Sequence, residues 1–300
     1  MLTVSNISKS YGEVRALNGI NFEVDRGELF GLIGPDGAGK TSLFRIIATL
    51  LLPDSGDVSF DGHDVITDYE FVRKNVGYMP GRFSLYQDLS VKENLEFFAT
   101  IFNTTVQENK HLIEDIFKQL EPFQNRRAGD LSGGMKQKLA LSCALIHKPT
   151  MLLLDEPTTG VDAISRKEFW GMLQRLKKEG ITIVVSTPYM DESKLCDRVA
   201  LIQDGAIMDL DTPSGIVNRF DKTVYKVTGN NQYQLLSKIR TMDGVQNAYP
   251  FGSSLHVYGS PELNLSGRLD EHFPDADIQV EIIPADIEDT FMNLMTRDHE

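Results

Sequence analysis

The stretch "GLIGPDGAGKTSLFRI", residues 31 to 46, restricts what this chain can fold into more than any other. It follows the apolar run "ELFGLIG", which reads as a strand, and leads into a helix predicted from about Gly39 to Leu51, stopping before Pro53. Gly34, Gly39, Lys40 and Thr41 keep the spacing G-x-x-x-x-G-K-T across that strand-to-helix turn. The chemistry follows from the residue types. Glycines let backbone N–H groups curl around phosphate oxygens, and the helix N-terminus adds partial positive charge. Lys40 reaches the outer phosphates and the Thr41 hydroxyl suits Mg2+.

Two further segments carry chemistry. "MLLLDEP", residues 151–157, is an apolar strand ending in two carboxylates. Asp155 is placed to hold Mg2+, and Glu156 to orient or deprotonate an attacking water. In "LSGGMKQKLALSCALIHKP", Ser132, Gly133 and Gly134 open a predicted helix, Met135 to His147, closed by Pro149. That is a second anion-binding helix N-terminus.

Along the chain, "LTVSNISKSYG", "ALNGINFEV" and "ELFGLIG" read as strands broken by Gly12, Gly19 and Gly27. Residues 56–60 and 76–79 read as two more. From about 90 to 147 the pattern is helical, opening with a capping box at Ser90 and Glu93. Strand and helix alternate again from 150 to 220, the sign of a mainly parallel sheet with crossover helices. A helix over 163–179 takes Asp162 as N-cap and Gly180 at its end, with Trp170 in the core. Residues 221–300 change character and read as a small α+β domain. Its predicted strands are "KTVYKVTG", "GVQNAYP", "SLHVYG" and "DADIQVEII"; its predicted helices are 231–241, 262–273 and "ADIEDTFMNLM".

Composition narrows the function. The net charge of −13 argues against non-specific nucleic-acid binding, which needs clustered Lys and Arg. The two cysteines, Cys143 and Cys196, lack metal-ligand spacing; they read as buried apolar groups inside helices in a reducing compartment. No apolar signal-type segment opens "MLTVSNISKS", and no apolar run is long enough to span a bilayer. His147, beside Lys148, reads as a charge-complementing helix end.

Taken together, the phosphate loop at 34–42, LSGG at 131–134, Asp-Glu at 155–156 and "TTGVD" at 158–162 resemble the nucleotide-binding subunits of ABC transporters. The likeness covers about residues 1–220. "NVGYMPGRFSLYQDLSVKENLEFF" and "TTGVDAISRKEFW" resemble the branch serving ABC-2 type exporters, and residues 221–300 fit the small C-terminal extension of that branch. The resemblance implies an α/β P-loop NTPase with a mainly parallel sheet, an N-terminal antiparallel β part and a helical subdomain at about 90–147. It implies ATP and Mg2+ as ligands. Residues Gly34, Pro35, Asp36, Gly37, Ala38, Gly39, Lys40, Thr41 and Ser42 would bind ATP, with Tyr11 of "SKSYGEVRAL" stacking on adenine. Ser132, Gly133 and Gly134 would contact the ATP of a second subunit paired head to tail. The partners implied are transmembrane permease subunits, with no nucleic acid. The implied location is cytoplasmic, peripheral on the inner face of the cell membrane.

Two positions depart from the family. Gly81 stands in "GYMPGRF" where the family carries Gln, and Gln87 comes six residues too late to replace it. Pro188, in "STPYMDE", stands where the family carries a His that contacts the γ-phosphate. A positioned donor at such a place is worth ~2.7–4 kcal/mol of transition-state stabilisation. The expectation is an ATPase with a slow site of its own and an intact LSGG surface. It would pair with a fully equipped ATPase subunit in preference to a second copy of itself. The alternatives are a non-hydrolysing ATP-binding partner and a soluble ABC ATPase without a transport role.

Overall fold

Local sequence choices set the elements of this chain, whose computed structural model describes residues 1–274 and 277–297. In order they are β1 (Leu2–Tyr11), β2 (Val14–Val24), β3 (Leu29–Ile33), α1 (Lys40–Ile47), β4 (Ser55–Phe60), β5 (His63–Asp64), α2 (Tyr69–Asn75) and β6 (Val76–Met79). Then come α3 (Val91–Ile101), α4 (Lys110–Leu120), α5 (Gly133–Leu145), β7 (Met151–Asp155), α6 (Ala163–Lys178), β8 (Thr182–Thr187), β9 (Arg198–Gln203) and β10 (Ala206–Asp211). The last are α7 (Pro213–Asn218), β11 (Thr223–Thr228), α8 (Gln232–Ile239), β12 (Val245–Phe251), β13 (Ser254–Gly259), α9 (Leu265–His272), β14 (Gln279–Ile283) and α10 (Ile287–Arg297).

The chain divides into two compact units, Met1–Pro213 and Ser214–Glu300, where the sequence alone suggests a change near residue 220. In the first unit a six-stranded sheet has the order β10-β9-β3-β8-β7-β6, parallel throughout except for the β9–β10 hairpin. An antiparallel sheet, β2-β1-β4-β5, lies beside it. Helix α1 is amphipathic enough to fill the space between: Leu43, Phe44, Ile46 and Ile47 join Phe30, Leu32, Leu153 and Val184 of one sheet and Leu2, Ile20 and Phe60 of the other in one core. Strands β3, β7 and β8 are buried along their whole length, as expected of parallel strands covered on both faces. Helices α3, α4 and α5 pack together as the helical part. The Ser90 hydroxyl accepts from the Glu93 N–H while Glu93 accepts from the Ser90 N–H, so α3 starts where its capping box predicts.

In the second unit β11, α8, β12, β13, α9 and β14 form a split β-α-β unit with sheet order β12-β13-β11-β14, all antiparallel. Leu235 and Ile239 of α8 and Leu265 and Leu269 of α9 cover one face, against Tyr225, Val227 and Val257. On β13, His256 Nδ1 lies 2.7 Å from Asp289 Oδ1 of α10, and the Tyr258 hydroxyl donates to the same oxygen at 3.0 Å. All three side chains are buried.

Several local expectations need correcting. Gly19 does not break a strand: β2 runs through it as a bulge with φ +65°, and the Gly19 N–H donates to the Ser8 hydroxyl. Helix α1 stops at Ile47, short of Leu51, because Thr49 turns to φ +62°. Cys196 is not in an α-helix; it follows a short 3-10 segment, Met190–Leu195, that leaves no room for a helix before β9. Helix α2 and the β9–β10 hairpin carry little periodicity in the sequence, which does not reveal them. Part of the predicted run "DADIQVEII", Asp275 and Ala276, lies outside the described residues.

Leu153 is fully buried at the centre of this layering. Leu153→Ala should cost about 2–5 kcal/mol, read as a lower denaturant midpoint with an unchanged slope.

Candidate functional site

Everything the sequence marks as reactive in the first unit, the LSGG segment aside, arrives at the carboxyl end of the parallel sheet. The turn after β3 is tightly constrained. A Cβ on Gly34 would fall 2.1 Å from the Ile202 carbonyl oxygen of β9, and Gly39, at φ +101°, would press on the Ala16 carbonyl at 2.3 Å. Only glycine allows the loop to close this tightly. Lys40, the first residue of α1, is buried. Its ammonium donates to the carbonyls of Gly34 (2.7 Å) and Pro35 (2.8 Å) and stands 3.1 Å from Glu156 Oε1. The phosphate cradle and the carboxylate pair are therefore one site. Tyr11, 47% exposed, reaches the start of α1, with its hydroxyl 3.3 Å from Ser42 Oγ.

The acidic pair is held from β8. The Ser186 hydroxyl, fully buried, donates to Asp155 Oδ1 at 2.8 Å. The Glu156 N–H donates back to the Ser186 Oγ at 3.0 Å and lies 3.1 Å from the Ser186 carbonyl. Glu156 sits at φ +48°, a left-handed conformation that a non-glycine residue adopts at a cost. Gly81 comes here too: a Cβ on it would stand 3.1 Å from the Asp155 carbonyl and 3.7 Å from Asp155 Oδ2. Tyr78, three residues earlier, has its phenol pushed up to about 12, chiefly by burial and then by the charge of Asp155.

The donor set suits a hard cation. Asp155 Oδ1 is engaged by Ser186, while Oδ2 faces the space a side chain at Gly81 would enter. Thr41 supplies a hydroxyl at the start of α1. Among the described residues no cluster of three His, Cys, Asp or Glu forms a metal cage. One carboxylate and one hydroxyl agree with Mg2+, which keeps waters and phosphates as most of its ligands.

Pro188 follows the end of β8, and the chain beyond it is tied down. Glu192, only 2% exposed, accepts from the Thr187 hydroxyl at 2.5 Å and from the Thr158 hydroxyl at 2.9 Å. Arg166 of α6 stands 3.9 Å from the same carboxylate. The segment holding Pro188 and the 158–162 loop are thus joined through one buried charge. Ser132–Gly134 have a different setting. Ser132 Oγ accepts from the Met135 N–H as the N-cap of α5, and a Cβ on Gly134 would meet the Ser165 hydroxyl oxygen at 2.6 Å.

Next to Tyr78, an apolar groove of about 490 Å3 opens between α2, β6, α3 and α5. Met79, Leu85, Phe98, Phe102 and His147 line it. His147 is stacked on Phe102 with ring centroids 3.9 Å apart, and burial pushes its pKa down to about 4. It is a neutral apolar-facing ring, so its reading as a charged helix end is corrected.

Sequence reasoning missed Ser186, Thr158 and Glu192. Their signal was present: two hydroxyls, Ser186 and Thr187, end an otherwise β-branched buried strand.

This is the phosphate-loop α/β fold, with the Glu156 carboxylate facing the loop lysine. Comparison with known proteins makes the class specific. Residues 17–159 match the family described as ABC transporter. The chain is 35% identical to the probable multidrug ABC transporter ATP-binding protein YbhF of Escherichia coli (strain K12), over 93% of this chain and 52% of that protein, so it spans about half of YbhF's length. It is 34% identical to the Nod factor export ATP-binding protein I of Rhizobium sp. (strain N33), over 100% of this chain and 98% of that one. Among solved structures, a dimeric post-hydrolysis ATP-binding cassette, MJ0796, bound to ADP and Pi superposes with a TM-score of 0.64 at 27% identity, covering 71% of this chain and 98% of that one. The chain belongs to the ATP-binding proteins of ABC transporters.

The buried imidazole gives a pH test. It titrates near 6.5 when unfolded and near 4 when folded, so the unfolded chain takes up the proton first. The stability it allows is intact above pH 6.5 and lost as pH falls toward 4, on the order of 3 kcal/mol from this group. Urea midpoints between pH 7 and 4 should fall more steeply for the unsubstituted chain than for His147→Gln.

Proposed function

We propose that this chain binds and hydrolyses ATP to power an exporter of the ABC-2 type. It would sit on the cytoplasmic face of the membrane against permease subunits and pair head to tail with a second ATP-binding subunit. The observation that carries this reading is the meeting of Lys40 and Glu156 at 3.1 Å, which puts the phosphate cradle and a water-activating carboxylate in one place. In this reading Gly34–Ser42 cradle the phosphates, and Lys40 leaves its carbonyl partners to pair with the outer ones. Tyr11 supports the base. Asp155 and the Thr41 hydroxyl would hold Mg2+, which when bound would supply positive charge beside the phosphates. Glu156 orients the water and accepts its proton. Ser132, Gly133 and Gly134 offer their helix N-terminus to the nucleotide of the partner. The apolar groove beside Tyr78 supports a permease contact, since Tyr78 is on the strand leading to Gly81, whose backbone lies beside Asp155 of β7.

A slow site of its own fits the substitutions. Pro188 offers neither a ring donor nor an N–H at the end of β8, and Gly81 leaves bare backbone beside Asp155. That asymmetry favours a heterodimer with a fully equipped subunit, whose ATP this chain's LSGG segment would complete. A non-hydrolysing role is the second reading, supported by the same two positions. Its relatives are named for multidrug transport and for Nod factor export; the substrate class here follows whichever permease it meets.

Isolation of the chain from native membranes with a permease, followed by ATPase assay of that complex, tests the proposal. Recovery with no membrane protein would sink it. Two variants locate the chemistry. Glu156→Gln should remove turnover and leave ATP binding, measured with a fluorescent analogue, within about threefold. Pro188→His should raise kcat of the isolated chain by ~10-fold or more, given the 10²–10³ worth of a positioned donor. An unchanged kcat would place the slow step elsewhere.

A further inference from the structure

One hydroxyl reaches both acidic residues of the site without facing the phosphate loop. Ser186 is the penultimate residue of β8, fully buried between the apolar Val184 and Val185 and the buried Thr187. A hydroxyl placed there would be costly unless fully bonded. It is fully bonded, and both bonds go to the chemistry: Oγ–H to Asp155 Oδ1 at 2.8 Å, and the Glu156 N–H to Oγ at 3.0 Å. The register of β7 and β8 makes this possible, since Asp155 stands directly opposite Ser186.

Each bond has a separate consequence. The first occupies one carboxylate oxygen and fixes the rotation of the group, so that Oδ2, on the Gly81 side, is the oxygen offered to a cation. The second shares the Glu156 N–H with the Ser186 carbonyl, 3.1 Å away, and so reinforces the anchoring of a peptide held at φ +48°. The Glu156 side chain projects from that peptide toward Lys40.

We propose that Ser186 is the positioning residue of this site: its single hydroxyl aims Asp155 at the metal and holds Glu156 in the conformation from which it meets the water. It touches neither nucleotide nor metal and acts through these two carboxylates. Its importance is greater here because Gly81 and Pro188 supply no side-chain donor of their own around the reacting phosphate. The inference rests on the ATP and Mg2+ reading above.

The test uses the full chain, Ser186→Ala and Ser186→Thr. Three quantities are read: kcat, the affinity of the ADP complex for Mn2+ from the free-ion EPR signal, and metal-free ADP affinity. Partners behind metal ligands are commonly worth 10- to 100-fold in metal affinity or activity. Ser186→Ala should therefore lower kcat and Mn2+ affinity by about 10-fold or more. Metal-free ADP affinity should stay within about twofold, and Ser186→Thr, which keeps the hydroxyl, should recover most of both losses. Unchanged Mn2+ affinity and kcat in the Ala variant would overturn the inference. So would a parallel fall in metal-free ADP affinity, or a Thr variant as impaired as Ala, since each assigns the effect to packing. Failure of the unsubstituted chain to bind ADP would instead overturn the nucleotide reading itself, and this inference with it.

Discussion

The rest of the first unit is arranged around the burial of one ammonium group. Lys40 carries a positive charge into a site almost closed to water, and a charge there persists only where oxygen atoms meet it. Two of those oxygens are carbonyls of its own loop and one belongs to Glu156. The loop must therefore bend back over its lysine, which demands the glycines and the contact with Ile202 of β9. Strand β7 must deliver a carboxylate at its carboxyl end, so β3, β8 and β7 must run parallel and in register. Sheet order, loop shape and acid placement answer a single electrostatic requirement.

What the sequence showed best were features with short-range physical causes. The strand–loop–helix of residues 29–47, the Ser90–Glu93 capping box and the Asp162 N-cap are set by neighbours within four residues. The apolar strands ending in Asp155 and Thr187 were legible because a doubly covered strand is apolar throughout. Elements that depend on distant partners were harder. The β9–β10 hairpin reads as a continuation of the strand–helix alternation, because nothing local reveals that β10 pairs back antiparallel. Gly19 read as a break because its bulge is bonded to Ser8 across the sheet.

The site follows the same division. Lys40, Thr41, Asp155 and Glu156 stand out by motif and spacing. Ser186, Thr158 and Glu192 do not, since their role exists only once β7, β8 and the following loops lie side by side. His147 misled for a related reason. Its neighbour Lys148 suggests an exposed helix end, whereas the ring lies against Phe102 in the wall of a groove.

Glu192 gives the site a mechanical property. Its buried carboxylate binds the hydroxyls of Thr187 and Thr158 at once, so the strand end bearing Pro188 and the loop after Glu156 are fastened at two points to one rigid group. Separating them would strip the carboxylate of at least one of its two hydroxyl donors. The two segments are therefore clamped into a single bracket whose joint is one buried side chain.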